Sequence, residues 1–568
     1  MTGFKIDHFH GLAFISGADD PRFGNWPVVY TLNDDKQVYV GESLNVRGRF
    51  TQHLQSPEKQ HLKSVRVVID DSFNKSAALD LESQLVRLLA GDGKYQVLNR
   101  NDGIVDADYF DRATYQKRFE QIFKQLHADG LFENPVRDIE NSHLFKLSPF
   151  KALNPGQELM VQRFLANLIV SEQQDAATQS VVQGDPGTGK TIVGIYLMKL
   201  ISDLSSSVIH DDADEDSFFS DPFVVENRSA LSGFKIGFVV PQQSLRRSVE
   251  SVFAKTPGLS KAMVLTPFQV GEADDKFDLL IVDETHRLNR RANQSSASAN
   301  KRFKAINEKL FGEDDPRWTQ LDWIEAQSKH QVLLLDAGQS VRPADLDRGH
   351  LSSLVRNAKS KESFYPLNSQ MRIKNAVEYI QYLRGVFSNN PPQPKAFPEY
   401  DLRWFENLGD MEKALDEQES RFGLARMVAG YAWKWVSKKD PTAIDIEIDG
   451  VRRKWNVADK DWINSATATE EVGSIHTTQG YDLNYAGVII GNDLRYDPDR
   501  KRLFFDRSNY FDRQGTQNLK QLGIEMTDND LLDYVINIYI VLLTRGIRGT
   551  FVYVCDPALR AYLKPFFA

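Results

Sequence analysis

The sequence predicts an α/β protein, with a small α+β module at the N-terminus followed by two domains built on parallel sheets. Length is the first observation. At 568 residues the chain exceeds what one hydrophobic core supports, since cores stop growing near roughly 250–300 residues. The second is a repeated pattern beyond residue 150, where SVVQGD, KIGFVV, DLLIVDE, QVLLLDAG, YAGVIIGND and GTFVYVCD are separated by helix-like stretches. Short apolar runs of this kind suit strands buried on both faces in βαβ units. The third is a change of pattern near the start. PVVYTLNDDKQVYVGESLNVRGRFTQH reads as a hairpin whose second arm runs into a helix.

These observations place domains at 1–120, 151–360 and 361–568. The stretch 121–150 is polar and punctuated by Pro and Gly, as linkers are. Three segments interrupt the α/β pattern. Residues 206–229 are acidic and read as a solvated loop. Residues 287–304 hold six Lys or Arg and no acid, and read either as a flexible surface loop or as a loop that orders on phosphates. Residues 440–470, with DGVRRKWN, read as an inserted hairpin. YAWKWVSKK, residues 431–439, interleaves aromatic and basic residues in a way that suits base stacking. As a helix, however, it would place Tyr431 and Trp435 on one buried face.

Composition excludes several classes. Hydrophobic residues make up 41% of the chain, and no apolar run reaches the ~20 residues of a membrane span, so a cytoplasmic protein with no membrane partner is expected. Cys555 is the single cysteine, which rules out an intramolecular disulfide and a cysteine zinc site. A net charge of −9 means that any nucleic acid must be gripped by local patches.

QGDPGTGKT, residues 183–191, follows a strand-like run and precedes the helix-like IVGIYLMKLI. It has Walker A spacing, with Gly184, Gly189, Lys190 and Thr191 at the fixed positions and Gly187 and Thr188 inside the loop. Backbone N–H groups of such a loop close on phosphates, the lysine reaches the β and γ phosphates, and the hydroxyl holds Mg²⁺. FDLLIVDETHR, residues 277–287, supplies Walker B acids: Asp283 for the metal shell and Glu284 as general base for the attacking water. ATP and one Mg²⁺ are thus the expected cofactors. Asp185 is unusual in this loop, because it would stand beside phosphates unless it points away or binds something else.

The order of motifs resembles superfamily 1 helicases, and in detail the Schlafen-like helicase domain, over about 400 residues. The resemblance implies two RecA-like domains. LNPGQ presents Gln157 as the adenine reader, and GFVVPQQSLRRSV sits where strand contacts are made. VLLLDAGQSVRP presents Asp336 and Gln339, which would couple the γ-phosphate to the nucleic-acid site. NSQMRIKN presents Arg372, SIHTTQGYDLNYAGVIIG presents Gln479, Gly480 and Asp482, and IVLLTRGIRGTFVY presents Arg545. Arg372 and Arg545 are the implied arginine fingers, with Arg548 as an alternative to Arg545. Such cations stabilise charge built on the γ-phosphoryl oxygens once the cleft closes.

The hairpin near the N-terminus is similar to the GIY-YIG nucleases. VVY and VYVG supply Tyr30 and Tyr39, GESLNVRGRFTQH places Arg49 and His53 at i and i+4 of a helix, and ALDLESQLVRLLAGDGKYQVLN supplies Glu82 and Asn99. The resemblance implies that Glu82 holds a second divalent ion on a phosphate oxygen. Arg49 would then stabilise the pentacovalent charge and Tyr30 would help to deprotonate water, with Tyr39 or His53 orienting it. Val28 stands where the family has glycine. Through residue 120 the module carries 15 Lys or Arg against 17 Asp or Glu, so affinity for nucleic acid would come from the helicase part.

The expected function is an ATP-dependent nuclease-helicase acting on nucleic acid, with DNA the first choice and defence against phage or plasmid DNA the implied role. An oligomer or a companion defence subunit is compatible with it. The alternatives are an ATPase switch whose N-terminal module recognises without cutting, and an RNA-directed enzyme.

Overall fold

A computed structural model describes residues 3–11, 13–14, 20–99, 108–151, 153–206, 226–291, 294, 296–336, 338–367, 376–457, 462–465, 467–478 and 481–567. The chain divides into two compact units. One comprises Met1–Gln173, Ile195–Gly233 and Ser248–Met263, and the other Gln174–Gly194, Phe234–Arg247 and Val264–Ala568.

In the first unit, strands β1 (Phe4–His10), β2 (Val28–Asn33), β3 (Gln37–Ser43), β4 (Ser64–Asp70) and β5 (Gln96–Val97) form a sheet in the order β1-β4-β2-β3-β5. All pairings are antiparallel except β3 with β5. The β2–β3 turn closes because Asp34 Oδ1 accepts the backbone N–H groups of Lys36 and Gln37 at 2.7 and 2.6 Å. Helices α1 (Val46–Gln55) and α2 (Lys75–Asp92) begin at Asn45 and Asn74, whose side chains accept the N–H groups of Gly48 and Ala77.

Alternation along the strands splits the core into two. Val29, Val38 and Val40 pack with Leu81, Leu85 and Leu89 of α2, whereas Val28, Tyr30 and Leu32 pack with Phe14, Phe23 and Phe50. Val28 is fully buried in this second cluster, which accounts for an apolar residue in place of glycine. Val28→Gly is expected to destabilise the module by about 3 kcal/mol, read as a lower midpoint of its urea transition.

Residues 121–150, expected to be a linker, belong to this core instead. Helix α3 (Arg112–Ala128) buries Phe119, Ile122, Phe123 and Leu126, and the following turns bury Leu131, Phe132, Ile139 and Phe150. The polar composition hid these anchors because they occur singly or in pairs among exposed polar and charged residues. Helix α4 (Pro155–Gln173) completes the continuous part of the unit.

The second unit holds two larger sheets. Strands β6 (Thr178–Gly184), β7 (Ile236–Val239), β8 (Val264–Leu265), β9 (Phe277–Val282), β10 (Ser328–Leu335) and β11 (Phe364–Leu367) make an all-parallel sheet in the order β11-β6-β10-β9-β7-β8. The loop after β6 leads into helix α5 (Lys190–Ser205). The other sheet contains β12 (Asp401–Trp404), β13 (Ala425–Ala429), β14 (Ile446–Ile448), β15 (Val451–Trp455), β16 (Glu471–Gly473), β17 (Leu483–Ile490) and β20 (Gly546–Val554), ordered β12-β20-β17-β13-β16-β15-β14. A separate hairpin joins β18 (Leu494–Asp497) to β19 (Arg502–Phe505).

The expected insertion at 440–470 is the antiparallel pair β14–β15, and β15 also pairs in parallel with β16, so the hairpin extends the sheet. YAWKWVSKK is not helical. It is a loop after β13 in which Tyr431 and Trp435 meet the Trp455 ring edge to face at 5.3 and 5.8 Å.

The basic stretch at 287–304 matches neither expectation. Arg287, Arg290 and Arg291 are buried on Asp345, Asp347 and Asp314 at 2.7, 2.9 and 3.0 Å, and residues 297–304 lie in helix α6 (Ala297–Phe311). The pairing acids lie far along the chain, so the local sequence shows only positive charge. Helix α7 (Ala376–Val386) packs Tyr379, Tyr382, Leu383 and Val386 into the core of the second parallel layer, as helix α8 (Asp528–Leu543) does with Ile538, Tyr539 and Leu542. Among the described residues no helix is long and apolar enough to cross a membrane.

Candidate functional site

In the N-terminal unit, β2 and β3 set Tyr30 directly opposite Gly41. A Cβ on residue 41 would lie 2.5 Å from the Tyr30 phenol oxygen, so only glycine lets the ring cross the hairpin. Tyr30 and His53 are both buried, and the phenol oxygen stands 2.8 Å from His53 Nε2. The Tyr39 ring lies 6.3 Å from that of Tyr30 and 4.9 Å from the imidazole. Burial pushes the Tyr30 phenol well above its usual range, Tyr39 and Glu82 add to the rise, and the Arg49 guanidinium opposes it. The phenol is therefore neutral, and it can act as a base only by passing its proton on. His53 Nε2, 2.8 Å from the phenol oxygen, would receive that proton in the tautomer that leaves Nε2 unprotonated.

Arg49 lies one turn before His53 on α1 and donates to Gln52 Oε1 at 3.0 Å. Glu82 is half-buried on α2. Among the described residues no three His, Cys, Asp or Glu side chains gather to hold a metal. A single half-buried carboxylate fits Mg²⁺, which takes its other ligands from phosphate and water. Asn99 is placed differently from the other motif residues. Its Oδ1 accepts Val40 N–H at 3.0 Å and its Nδ2 donates to Val40 O at 2.8 Å, so the amide pins the strand that carries Tyr39 and Gly41. Sequence reading missed Lys59, whose buried ammonium stands 3.8 Å from the Tyr39 ring centre; it lies past the end of α1, outside any motif string.

In the second unit the phosphate loop follows β6. A Cβ on Gly184 would come within 2.3 Å of Thr188 Oγ1, which donates to Asp185 O at 2.9 Å. Gly187 and Gly189 take φ values of 87° and 80°, which only glycine adopts without strain. Lys190 Nζ donates to the carbonyls of Gly184 and Asp185 at 2.7 and 3.1 Å and stands 3.8 Å from Asp336 Oδ2. Thr191 Oγ1 donates to Asp283 Oδ2 at 2.7 Å. Burial pushes the Asp283 carboxyl up and the Glu284 charge pushes it further, while Thr191 and Lys190 oppose. A buried carboxylate so short of positive charge, beside a hydroxyl, fits a divalent cation held by Thr191 and Asp283. Bound there with ATP, the cation would neutralise charge on the phosphates.

Glu284 has φ 48°, a left-handed conformation uncommon for this residue, as at many functional positions. Its Oε2 lies 2.9 Å from His286 Nε2. The Asp336 backbone N–H donates to His286 Nδ1 at 3.4 Å, which leaves Nε2 to carry the proton that faces Glu284. Burial raises the Glu284 carboxyl, but His286, Lys190 and Arg545 more than offset this and hold it below the usual carboxylate range. Glu284 is thus an oriented, ionised carboxylate. Gln339 Nε2 donates to Asp336 Oδ2 at 2.7 Å, which ties that residue into the same chain of contacts.

His286 was inside the quoted DETHR string yet carried no assigned role. Side chains that orient a reacting group cost roughly 10–100-fold in activity when removed. His286→Ala is expected to lower ATP turnover by that factor with little change in ATP affinity, measured as separate kcat and KM.

Arg545 is buried between α8 and β20, donates to Tyr481 O at 3.3 Å, and is close enough for its charge to lower the Glu284 carboxyl. Asp482 is half-buried just before β17. Gln157, in the first unit, forms a reciprocal cap with Asn154 at the start of α4, through bonds of 3.0 and 3.1 Å. Arg372, Gln479 and Gly480 lie outside the described residues.

A family model of the Schlafen group 3 DNA/RNA helicase domain matches residues 178–556, about two thirds of the chain. The chain belongs to this family. Uncharacterized protein YPL245W of Saccharomyces cerevisiae is 26% identical over 415 residues, covering 67% of this chain and 83% of the yeast protein. Among solved structures, a Pif1 helicase from Bacteroides, in complex with ADP-AlF3 and ssDNA, matches at 12% identity with a TM-score of 0.23, covering 69% of this chain and 91% of that one.

The helicase domain also contains a cavity of about 450 Å³. Its walls come from Pro241–Ser244 after β7, Arg342–Asp345 after β10, Tyr431, Trp435 and Trp455, Ser474 and Thr477 after β16, and Gln514–Leu519. These lie beyond the carboxyl ends of parallel strands, where α/β sheets bind ligands. Its two arginines are already paired, Arg287 with Asp345 at 2.7 Å and Arg342 with Asp512 at 3.0 Å. Apart from Asp345, the rest is aromatic, small apolar or uncharged and polar, a lining suited to bases more than to phosphates.

Proposed function

We propose that this Schlafen group 3 protein is an ATP-driven motor on single-stranded nucleic acid, with the strand in the Tyr431–Trp435–Trp455 cavity, and that its N-terminal module is a GIY-YIG-type nuclease. The observation that carries the motor reading is that the charge of Arg545, just before β20 of one sheet, reaches Glu284, just after β9 of the other. Hydrolysis then depends on how the two sheets sit, which is how a nucleotide cycle drives movement. Gln157 is proposed as the adenine contact, Arg372 as a second finger, and Gln479, Gly480 and Asp482 as links between nucleotide and strand.

The nuclease reading is supported by Tyr30, His53, Tyr39, Arg49 and Glu82, which gather by contact or by charge around one hairpin. Arg49 stabilises the phosphorane charge, Tyr30 and His53 move the proton of water, and Glu82 holds the divalent ion. DNA is the proposed substrate and defence against invading DNA the proposed role.

The test is ATP hydrolysis with and without single-stranded DNA and RNA, run beside cleavage of matched linear, circular and single-stranded substrates in Mg²⁺. Strand-stimulated ATPase with ATP-dependent scission of DNA is expected. Stimulation without scission in any metal would make the N-terminal module a recognition domain, and scission of RNA alone would change the substrate.

A further inference from the structure

Helix α7 contributes Tyr379, Leu383 and Val386 to the core of the seven-stranded sheet, but Arg384 leaves the helix on its other side, with 41% of its side chain exposed. It reaches the phosphate loop of the six-stranded sheet. Its Nη2 is 3.1 Å from Asp185 Oδ1 and 3.9 Å from Asp336 Oδ1. The other oxygen of Asp336 faces Lys190 Nζ at 3.8 Å. A single carboxylate thus stands between the Walker lysine and this arginine. Gly338 makes room for the contact, since a Cβ there would lie 2.3 Å from the same Nη2.

We propose that Arg384 is a further phosphate-binding cation of the ATP site, parked on Asp185 and Asp336 until a triphosphate takes their place. The proposal rests on the ATP-site reading above. It follows from charge and shape. Asp336 stands beside Lys190, where phosphate oxygens are expected, and Asp185 stands beside Arg384, while a guanidinium matches phosphate oxygens in pairs better than it matches a single carboxylate edge. The pair with Asp185 is partly exposed on both sides and holds weakly, so a polyanion displaces it. Asp185, the odd residue of the loop, then has a purpose: it keeps Arg384 at the mouth of the site. Because Arg384 approaches from the other sheet, its transfer to the terminal phosphate draws that sheet towards the nucleotide, and ADP does so less.

The test is ATP and ADP affinity, together with separate kcat and KM, for Arg384→Gln, Arg384→Lys, Asp185→Asn and the Asp185→Asn, Arg384→Gln double variant. Arg384→Gln is expected to lose about tenfold in ATP affinity and clearly less for ADP, with partial recovery in Arg384→Lys. Asp185→Asn is expected to bind ATP more tightly, and the double variant to be as weak as Arg384→Gln. A double variant restored to wild-type affinity would show that Arg384 only neutralises Asp185, and equal losses for ATP and ADP would also overturn the proposal. Wild-type protein that binds neither nucleotide would overturn the ATP-site reading itself, and this proposal with it.

Discussion

Replacing Glu284 with Gln is expected to reduce ATP turnover by about 10³-fold while ATP still binds, because general-base catalysis contributes roughly 10²–10⁴-fold. The amide keeps the size of the side chain and its place beside His286 Nε2, which stands 2.9 Å from the carboxylate. What is lost is the ability to take a proton from water. Lys190→Ala is the contrasting control, since it removes the ammonium proposed to face the phosphates and is expected to weaken binding as well as turnover. If Glu284→Gln hydrolysed ATP at the wild-type rate, the base would have to be sought elsewhere, and the buried contact with His286 would be structural.

The second large effect is expected at Glu82. Glu82→Ala should abolish strand scission, a loss of at least about 10²-fold, and leave ATP hydrolysis intact. Loss of ATPase in the same variant would instead report damage to folding. Tyr30→Phe sharpens the test because it removes one oxygen from a ring that otherwise stays packed against Gly41 and His53. Equal cutting by both variants would remove the hairpin from the chemistry and leave the module a docking function.

Legibility followed the distance between interacting residues. The candidate nucleotide site was legible because the residues proposed for it lie in two contiguous strings, one around Lys190 and one around Asp283. The long strands β6, β9, β10, β17 and β20 appeared as apolar runs, whereas β8 and β16 have two and three residues, too few for any periodicity to show. The position of β10 between β6 and β9 is a matter of pairing partners, which local pattern does not encode.

His286 was visible as a residue but not as a participant. Its role depends on the left-handed backbone at Glu284 and on an amide fifty positions further on. The arginines at 287–291 looked like a phosphate-seeking patch because their acids, Asp345, Asp347 and Asp314, lie in other segments. In the N-terminal module the spacing of Tyr30, Tyr39, Arg49 and His53 was enough to bring them to one place. The same spacing could not tell that Asn99 would spend its amide on the Val40 backbone.

The contact between the Asp336 amide and His286 has a mechanical consequence. The same stretch of chain that starts at Asp336 continues through Gln339 to Arg342 and Asp345, which wall the cavity proposed for the strand. Under the proposed function, that wall and the imidazole are linked through the backbone contact at Asp336. An occupant of the cavity would therefore adjust the seat of Glu284 more than the grip on the nucleotide. Strand stimulation should then appear in kcat rather than in KM, so that the enzyme idles with ATP bound and consumes it only when there is a track to travel.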